Sequence, residues 1–293
     1  MPVRNYDFAF SLGFSCGTSQ ALRDSGLQFA SYPLDWVGSP SVVASARMIA
    51  DDFRNWLEPE DLKLWDVRHG TGFCTRIYKN MRTGFGFSHE FSDFVRFEAS
   101  YPKVKAMYDL RIGRFLTQLK ASRRILAVYT EMPILPRPKD EDLLEARSIL
   151  QTKVPQAEID LVCFFVEPGC RKPVAKTVAD GVIAVGVDYR MFDCGEVSHF
   201  LEVGLLTRFP KENYTVDDPR DDEGRRRFAA ESKRSDAWRW GEGKSWLRRW
   251  INKRVYKLYR RLERILLKRG MVHREGPLWF IYVNERRPDD EKL

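Results

Sequence analysis

Phe8-Ala-Phe-Ser-Leu-Gly-Phe-Ser-Cys16-Gly-Thr-Ser-Gln-Ala-Leu22 passes from an alternating apolar run, across glycines at 13 and 17, into residues with helical spacing. Residues 8–13 read as a buried first strand and 17–25 as a helix, with Gly26 placed to end it. Further on, Arg123-Arg-Ile-Leu-Ala-Val-Tyr129 is a strand candidate and 140–153 a helix candidate. Asp160-Leu-Val-Cys-Phe-Phe-Val166 and Gly181-Val-Ile-Ala-Val-Gly186 are two more short apolar runs. Helices alternating with strands that are apolar on both faces predict an α/β fold, a mostly parallel sheet covered on both faces by helices.

The intervening stretches are less regular. Residues 30–36 carry Pro33 and read as a loop or short edge. Residues 40–56 read as a helix capped by Ser39 with Pro40 in its first position. Residues 72–91 suggest one or two strands about a turn near 80–84. A helix at 101–121 follows from the spacing of Val104, Tyr108, Ile112, Phe115, Leu116 and Leu119. These elements make residues 1–212 an α/β domain. Residues 213–243 are polar and read as a linker. Residues 244–293 read as a basic amphipathic helix and a terminal strand packing back on the domain.

With 293 residues, 43% of them hydrophobic, the chain can bury a substantial core. Its net charge of +8 is concentrated between 244 and 269, which hold eleven Lys or Arg against Glu263 alone, so the rest is close to neutral. On a helix, Leu247, Ile251, Val255, Leu258, Leu262 and Leu266 fall on one arc, opposite Arg249, Lys253, Lys257, Arg260, Arg264 and Lys268. Such a helix either covers the domain with its charged face in water or lies, through 245–269, on an anionic membrane surface. Nucleic acid is disfavoured, because no binding motif accompanies the charge. Five cysteines without a CxxC pair, and no apolar leader or run of about 18 apolar residues, lead to an expectation of a cytoplasmic protein with reduced thiols. It would be peripheral at the inner membrane face if the basic helix binds there.

Cys16 is the residue with the most chemical promise. A helix start directs N–H groups and partial positive charge at what precedes it, which favours a thiolate. Gly13 and Gly17 permit a tight turn there, and backbone N–H groups around them could hold an oxyanion. His89, in Phe85-Gly-Phe-Ser-His89-Glu-Phe91, supplies a general base. Asp35 and Asp93 are the candidates to orient its ring, with Asp35 preferred. Glu90 is disfavoured, because adjacent strand residues point to opposite faces. Trp36 and Phe87 are the candidate substrate-binding side chains. Cys163 sits in an apolar strand where packing explains it. Neither zinc spacing nor a nucleotide-binding glycine motif occurs, so no metal and no cofactor is expected.

Ser11-Leu-Gly-Phe-Ser-Cys16, Tyr32-Pro-Leu-Asp-Trp36 and Gly84-Phe-Gly-Phe-Ser-His89-Glu-Phe91 resemble the motifs of a bacterial family described as papain-like cysteine peptidases. The resemblance spans roughly residues 6–200 and implies Cys16 as nucleophile and His89 as general base. Leu34 stands where the family has Phe, and Glu90 where it has Asp. The bottom-up pattern, a strand entering a Gly-x-x-Cys turn and then βα units, is equally like an SGNH-type esterase. A papain architecture would instead join a helical domain to an antiparallel barrel. The expected activity is a cysteine hydrolase or acyl transferase acting on a peptide, acyl or glycan substrate. The alternatives are an SGNH-like esterase or a glycan-modifying, glycosyltransferase-type enzyme of surface polysaccharide metabolism, and a non-catalytic binding module.

Overall fold

The apolar runs pair edge to edge into one five-stranded sheet. The structure is a computed structural model that describes residues 3–14, 16–68, 75–92, 96–131, 136–167, 169–170, 172–187 and 203–218. It also describes residues 223, 226, 274, 275, 280 and 281. In chain order the elements are β1 (Arg4–Tyr6), β2 (Phe8–Ser11), α1 (Cys16–Asp24), β3 (Val37–Gly38), α2 (Val42–Ala50), β4 (Leu62–Arg68), β5 (Thr75–Asn80) and β6 (Gly86–Ser92). Then come α3 (Phe97–Ala121), β7 (Arg124–Thr130), α4 (Asp140–Lys153), β8 (Glu158–Val166), β9 (Val174–Ala179), β10 (Val182–Val187), α5 (Val203–Asn213), β11 (Tyr214–Val216), β12 (Arg274–Glu275) and β13 (Phe280–Ile281).

The main sheet runs β2-β7-β8-β10-β9, with β2, β7, β8 and β10 parallel and β9 antiparallel at the edge. Alternation along each parallel strand sends side chains to two separate cores. Phe8, Phe10, Ile125, Ala127, Tyr129, Ile159 and Leu161 face α2, α3 and α4. Ala9, Leu126, Val128, Val162, Phe164 and Val185 face α1 and α5, through Ala21, Leu22, Leu206 and Phe209. The fold is therefore α/β, with helices on both faces of a mostly parallel sheet, as the sequence pattern predicts.

A second sheet, β3-β6-β5-β4, is wholly antiparallel and packs into the first of these cores through Leu62, Tyr78, Phe87 and Phe91. Two short pairs complete the strands, β1 parallel to β11 and β12 antiparallel to β13. Among the described residues no helix is long and apolar enough to cross a membrane. Of the expected linker 213–243, residues 213–218, 223 and 226 are described, and Tyr214–Val216 form β11 on β1. The basic segment 244–269 lies outside the described residues.

Local chemistry explains several boundaries. Gly26 has φ +76 and its N–H bonds to Arg23 O, closing α1 in the left-handed geometry glycine favours. The cap of α2 is Ser41, whose Oγ accepts from Ala44 N, and not Ser39 as expected. Ser39 Oγ instead meets Ser41 O and Ser45 Oγ. That helix ends at residue 50, earlier than its apolar spacing suggests, because Asp52, Phe53 and Asn55 all take positive φ. Pro102 is the sixth residue of α3, past the first turn, so it removes the N–H that would bond to Glu98 O.

Candidate active site

The site begins at the carboxyl end of β2, where the parallel sheet hands the chain to α1. Gly13 makes the turn at φ +94, and a Cβ there would sit 3.1 Å from Ser39 Cβ. Its carbonyl accepts from Thr18 Oγ1 at 2.9 Å and from Thr130 N at 3.1 Å, so the turn is tied both to the first turn of α1 and to β7. Its N–H donates to Ser11 Oγ at 3.0 Å. Gly13 therefore has a conformational role, and its N–H is engaged inside the turn. Gly17 and position 16 open α1 itself. The carboxyl ends of parallel strands are where open α/β sheets place ligands.

From this turn the chain leads to His89. Ser39 N donates to Phe14 O at 3.4 Å, and the adjoining β3 pairs with β6 in the register Val37↔Phe87 and Gly38↔Gly86. The ladder ends there, two residues before His89. The ring of His89 stands edge-on to Trp36, with centroids 6.2 Å apart and planes at 79°. Trp36 in turn lies under Arg23 of α1, whose guanidinium carbon is 5.1 Å from its ring centre.

Asp35 is fully buried and acts as the hub of this arm. Oδ1 accepts from Ser19 Oγ at 3.0 Å. Oδ2 accepts from Gln28 Nε2 at 2.7 Å, Tyr32 N at 2.8 Å and Arg23 Nη2 at 3.2 Å. Ser19 Oγ also donates to Asp35 O. A carboxylate offers about four acceptor positions, and these four donors occupy Asp35 with the job of tying α1 to the 28–36 loop. Ser19 and Arg23 share one stripe of α1 with position 16, three and seven residues on. Ser19 and Arg23 thus turn their stripe of α1 towards Asp35 and Trp36.

His89 and Glu90 have different surroundings. The His89 ring is half-buried against Trp36. Glu90 is buried, with Oε1 accepting from Tyr108 Oη of α3 at 2.8 Å and Oε2 accepting from His89 N at 3.0 Å. Burial pushes the Glu90 carboxyl above the usual range, against the opposing pull of Arg111 and these two hydrogen bonds. Phe87, expected to meet substrate, is fully buried against Trp56 and Tyr108, at 5.2 and 5.7 Å between ring centres. This is a correction: its period-2 position turns it into the core. Trp36 remains partly exposed.

Cys163 is fully buried in β8, and burial raises its thiol well above the ordinary value, so it is chemically quiet, as its apolar surroundings suggest. Cys170 is half-buried and directs its sulfur to Lys172 O at 2.8 Å. Among the described residues no group of His, Cys, Asp or Glu has metal-binding geometry. The Cys16 side chain, Asp93, Cys74 and Cys194 lie outside the described residues. Sequence reasoning missed Ser19, Arg23, Gln28 and Tyr108. Of these only Arg23 carried a signal, as a charge seven residues from Cys16 on a polar stripe with Ser19 and Gln20.

A family model described as "Putative papain-like cysteine peptidase (DUF1796)" matches residues 7–165, more than half of the chain. The chain belongs to that family. No curated protein and no solved structure matches it. The matched span begins just before β2 and ends within β8, so it takes in α1, the Asp35 hub and the whole antiparallel sheet with His89. The elements from β9 onward lie beyond it.

Proposed function

We propose that this chain is a cofactor-free cysteine hydrolase of acyl substrates, with Cys16 as nucleophile and His89 as general base. The observation that carries the reading is the arm from α1 through Asp35 and Trp36 to His89, inside a domain whose family is described as papain-like cysteine peptidase. The proposed chemistry has two steps. Cys16 Sγ, its proton taken by His89, attacks the substrate carbonyl, and N–H groups at the start of α1 around Cys16–Gly17 stabilise the oxyanion. Collapse forms the thioester as the leaving group departs with the proton from His89. Water, deprotonated by His89, then cleaves the thioester and restores the thiol. Another acceptor in place of water would make the same site an acyl transferase.

In this reading Asp35 holds the arm in place, its acceptor positions filled by Ser19, Arg23, Gln28 and Tyr32. Asp93, four residues past His89 in the sequence, is the other acid expected to orient the imidazole. Trp36 lines the substrate side of the site. Support for acyl chemistry also comes from the scaffold, since a nucleophile on a strand-to-helix turn at the end of a parallel strand is a placement used by esterases and lipases.

The test is native alkylation with iodoacetamide, read by mass spectrometry of each cysteine peptide over pH 5–9. Cys16 should label fastest near neutral pH, Cys163 slowest, and His89→Ala should remove the excess rate at Cys16. Equal rates at all five cysteines, or an unchanged Cys16 rate in His89→Ala, would refute the assignment.

A further inference from the structure

Strand β6 changes register at the residue that matters most to the proposed chemistry. Against β5, Arg76 faces Phe91 and Tyr78 faces Phe87, so Ser88, His89 and Glu90 together oppose the single residue Ile77. The β3 register also ends at Phe87. Extra residues in one strand interrupt the ladder and re-aim the side chains they carry. Backbone N–H groups displaced from a ladder need other acceptors where water is scarce. His89 N–H finds one in Glu90 Oε2, at 3.0 Å within the bulge itself.

That acceptor is itself braced. Glu90 is buried, and Tyr108 Oη holds its other oxygen at 2.8 Å. Tyr108 is fully enclosed, with the rings of Trp56 and Phe87 within 5.9 Å. Arg111, one turn along α3, places its guanidinium carbon 5.2 Å from the Tyr108 ring and brings positive charge near the buried carboxyl. A long side chain that turns back on the preceding N–H while its far oxygen is anchored on another helix fixes the backbone from which His89 projects.

We propose that Glu90, braced by Tyr108, is a positioning residue for His89, holding the bulge so that the imidazole leaves β6 on the side of Trp36 and α1. The proposal deepens the reading of His89 as general base and rests on it for its functional consequence. Glu90 touches no reacting atom in this account; it acts through the backbone of its neighbour.

The test uses proton–carbon NMR of the imidazole rings in the full chain. Its four histidines make the spectrum simple, and the His89 signal is assigned by its loss in His89→Asn. Glu90→Ala and Tyr108→Phe should each move the His89 signal and its titration midpoint, leaving the other three histidines in place. Glu90→Gln, which keeps an acceptor for His89 N–H, should return both most of the way. The Cys16 alkylation rate at neutral pH should fall about tenfold or more in Glu90→Ala, as expected for a displaced base, and recover in Glu90→Gln. Should Glu90→Ala fail to fold, Tyr108→Phe decides, because it removes only a hydroxyl. An unmoved His89 signal in folded Tyr108→Phe or Glu90→Ala overturns the proposal. A moved signal, with Cys16 alkylation indifferent to His89→Asn, sustains the positioning role and instead refutes the acyl-transfer reading.

Discussion

Replacing Asp35 separates the two roles open to this buried acid: bracing the arm, or orienting the imidazole. Asp35 accepts from Ser19, Arg23, Gln28 and the Tyr32 N–H at full burial. In Asp35→Ala, Ser19 keeps the backbone carbonyl of residue 35, Gln28 keeps Ala30 O and Arg23 keeps Ser31 Oγ. Tyr32 N–H loses the acceptor it has here, at about 1–3 kcal/mol. Adding the weakened bonds to a charged acceptor brings the expected loss to about 3–5 kcal/mol, the usual range for removing one partner of a buried ion pair. With a urea m-value of about 3 kcal/mol/M, the unfolding midpoint should fall by about 1–1.7 M. Asp35→Asn, which keeps the size and one acceptor, should lose about 1–2 kcal/mol. Below the unfolding transition both variants should keep the wild-type pH profile of Cys16 alkylation. A midpoint displaced by less than about 0.3 M together with a lost or shifted alkylation profile would refute the bracing account and assign Asp35 to the imidazole.

Two further outcomes follow from the geometry. Gly13→Ala forces a side chain into φ +94 with its Cβ 3.1 Å from Ser39 Cβ, so it should destabilise by about 2–3 kcal/mol. Gly26→Ala, at φ +76 with nothing within 4 Å, should lose only about 1 kcal/mol, and equal melting temperatures for the two would contradict the steric argument. The buried Glu90 carboxyl keeps its proton to higher pH when folded than when unfolded, so between those two values the folded chain binds more protons. Wild-type stability relative to Glu90→Gln should therefore fall as pH rises from about 4.3 through the folded value, then level off. Urea midpoints of the pair across pH 4–8 check the sign, and a relative gain for wild type over that interval would reverse it.

Much of the α/β frame was legible because a parallel sheet writes itself into sequence as short apolar runs. Helix α4 falls on the predicted bounds of 140–153, and β7, β8 and β10 begin or end within two residues of expectation. Strands β4 and β9 left no such mark. Leu64 and Trp65 of β4 are exposed, and β9 is an edge strand with mostly exposed residues, so neither carries a clean alternation. Helix α3 begins at Phe97, four residues before its apolar spacing becomes regular. Phe87 shows the limit of composition as a guide, for an aromatic next to a candidate motif suggests a substrate contact while the pleat turns it inward.

Sequence alone determined that a strand enters a glycine turn and a helix at Cys16, and that His89 lies in an aromatic strand. Both are local properties, set by hydrophobic period and by the backbone freedom of glycine. Only the tertiary structure decided that Asp35 is filled by Ser19, Arg23, Gln28 and Tyr32, and that Glu90 reaches back to His89 N–H under Tyr108. Those bonds join residues from separate helices, strands and loops. A carboxylate's role depends on which donors the packed chain brings within about 3 Å, a distance no spacing along the sequence encodes.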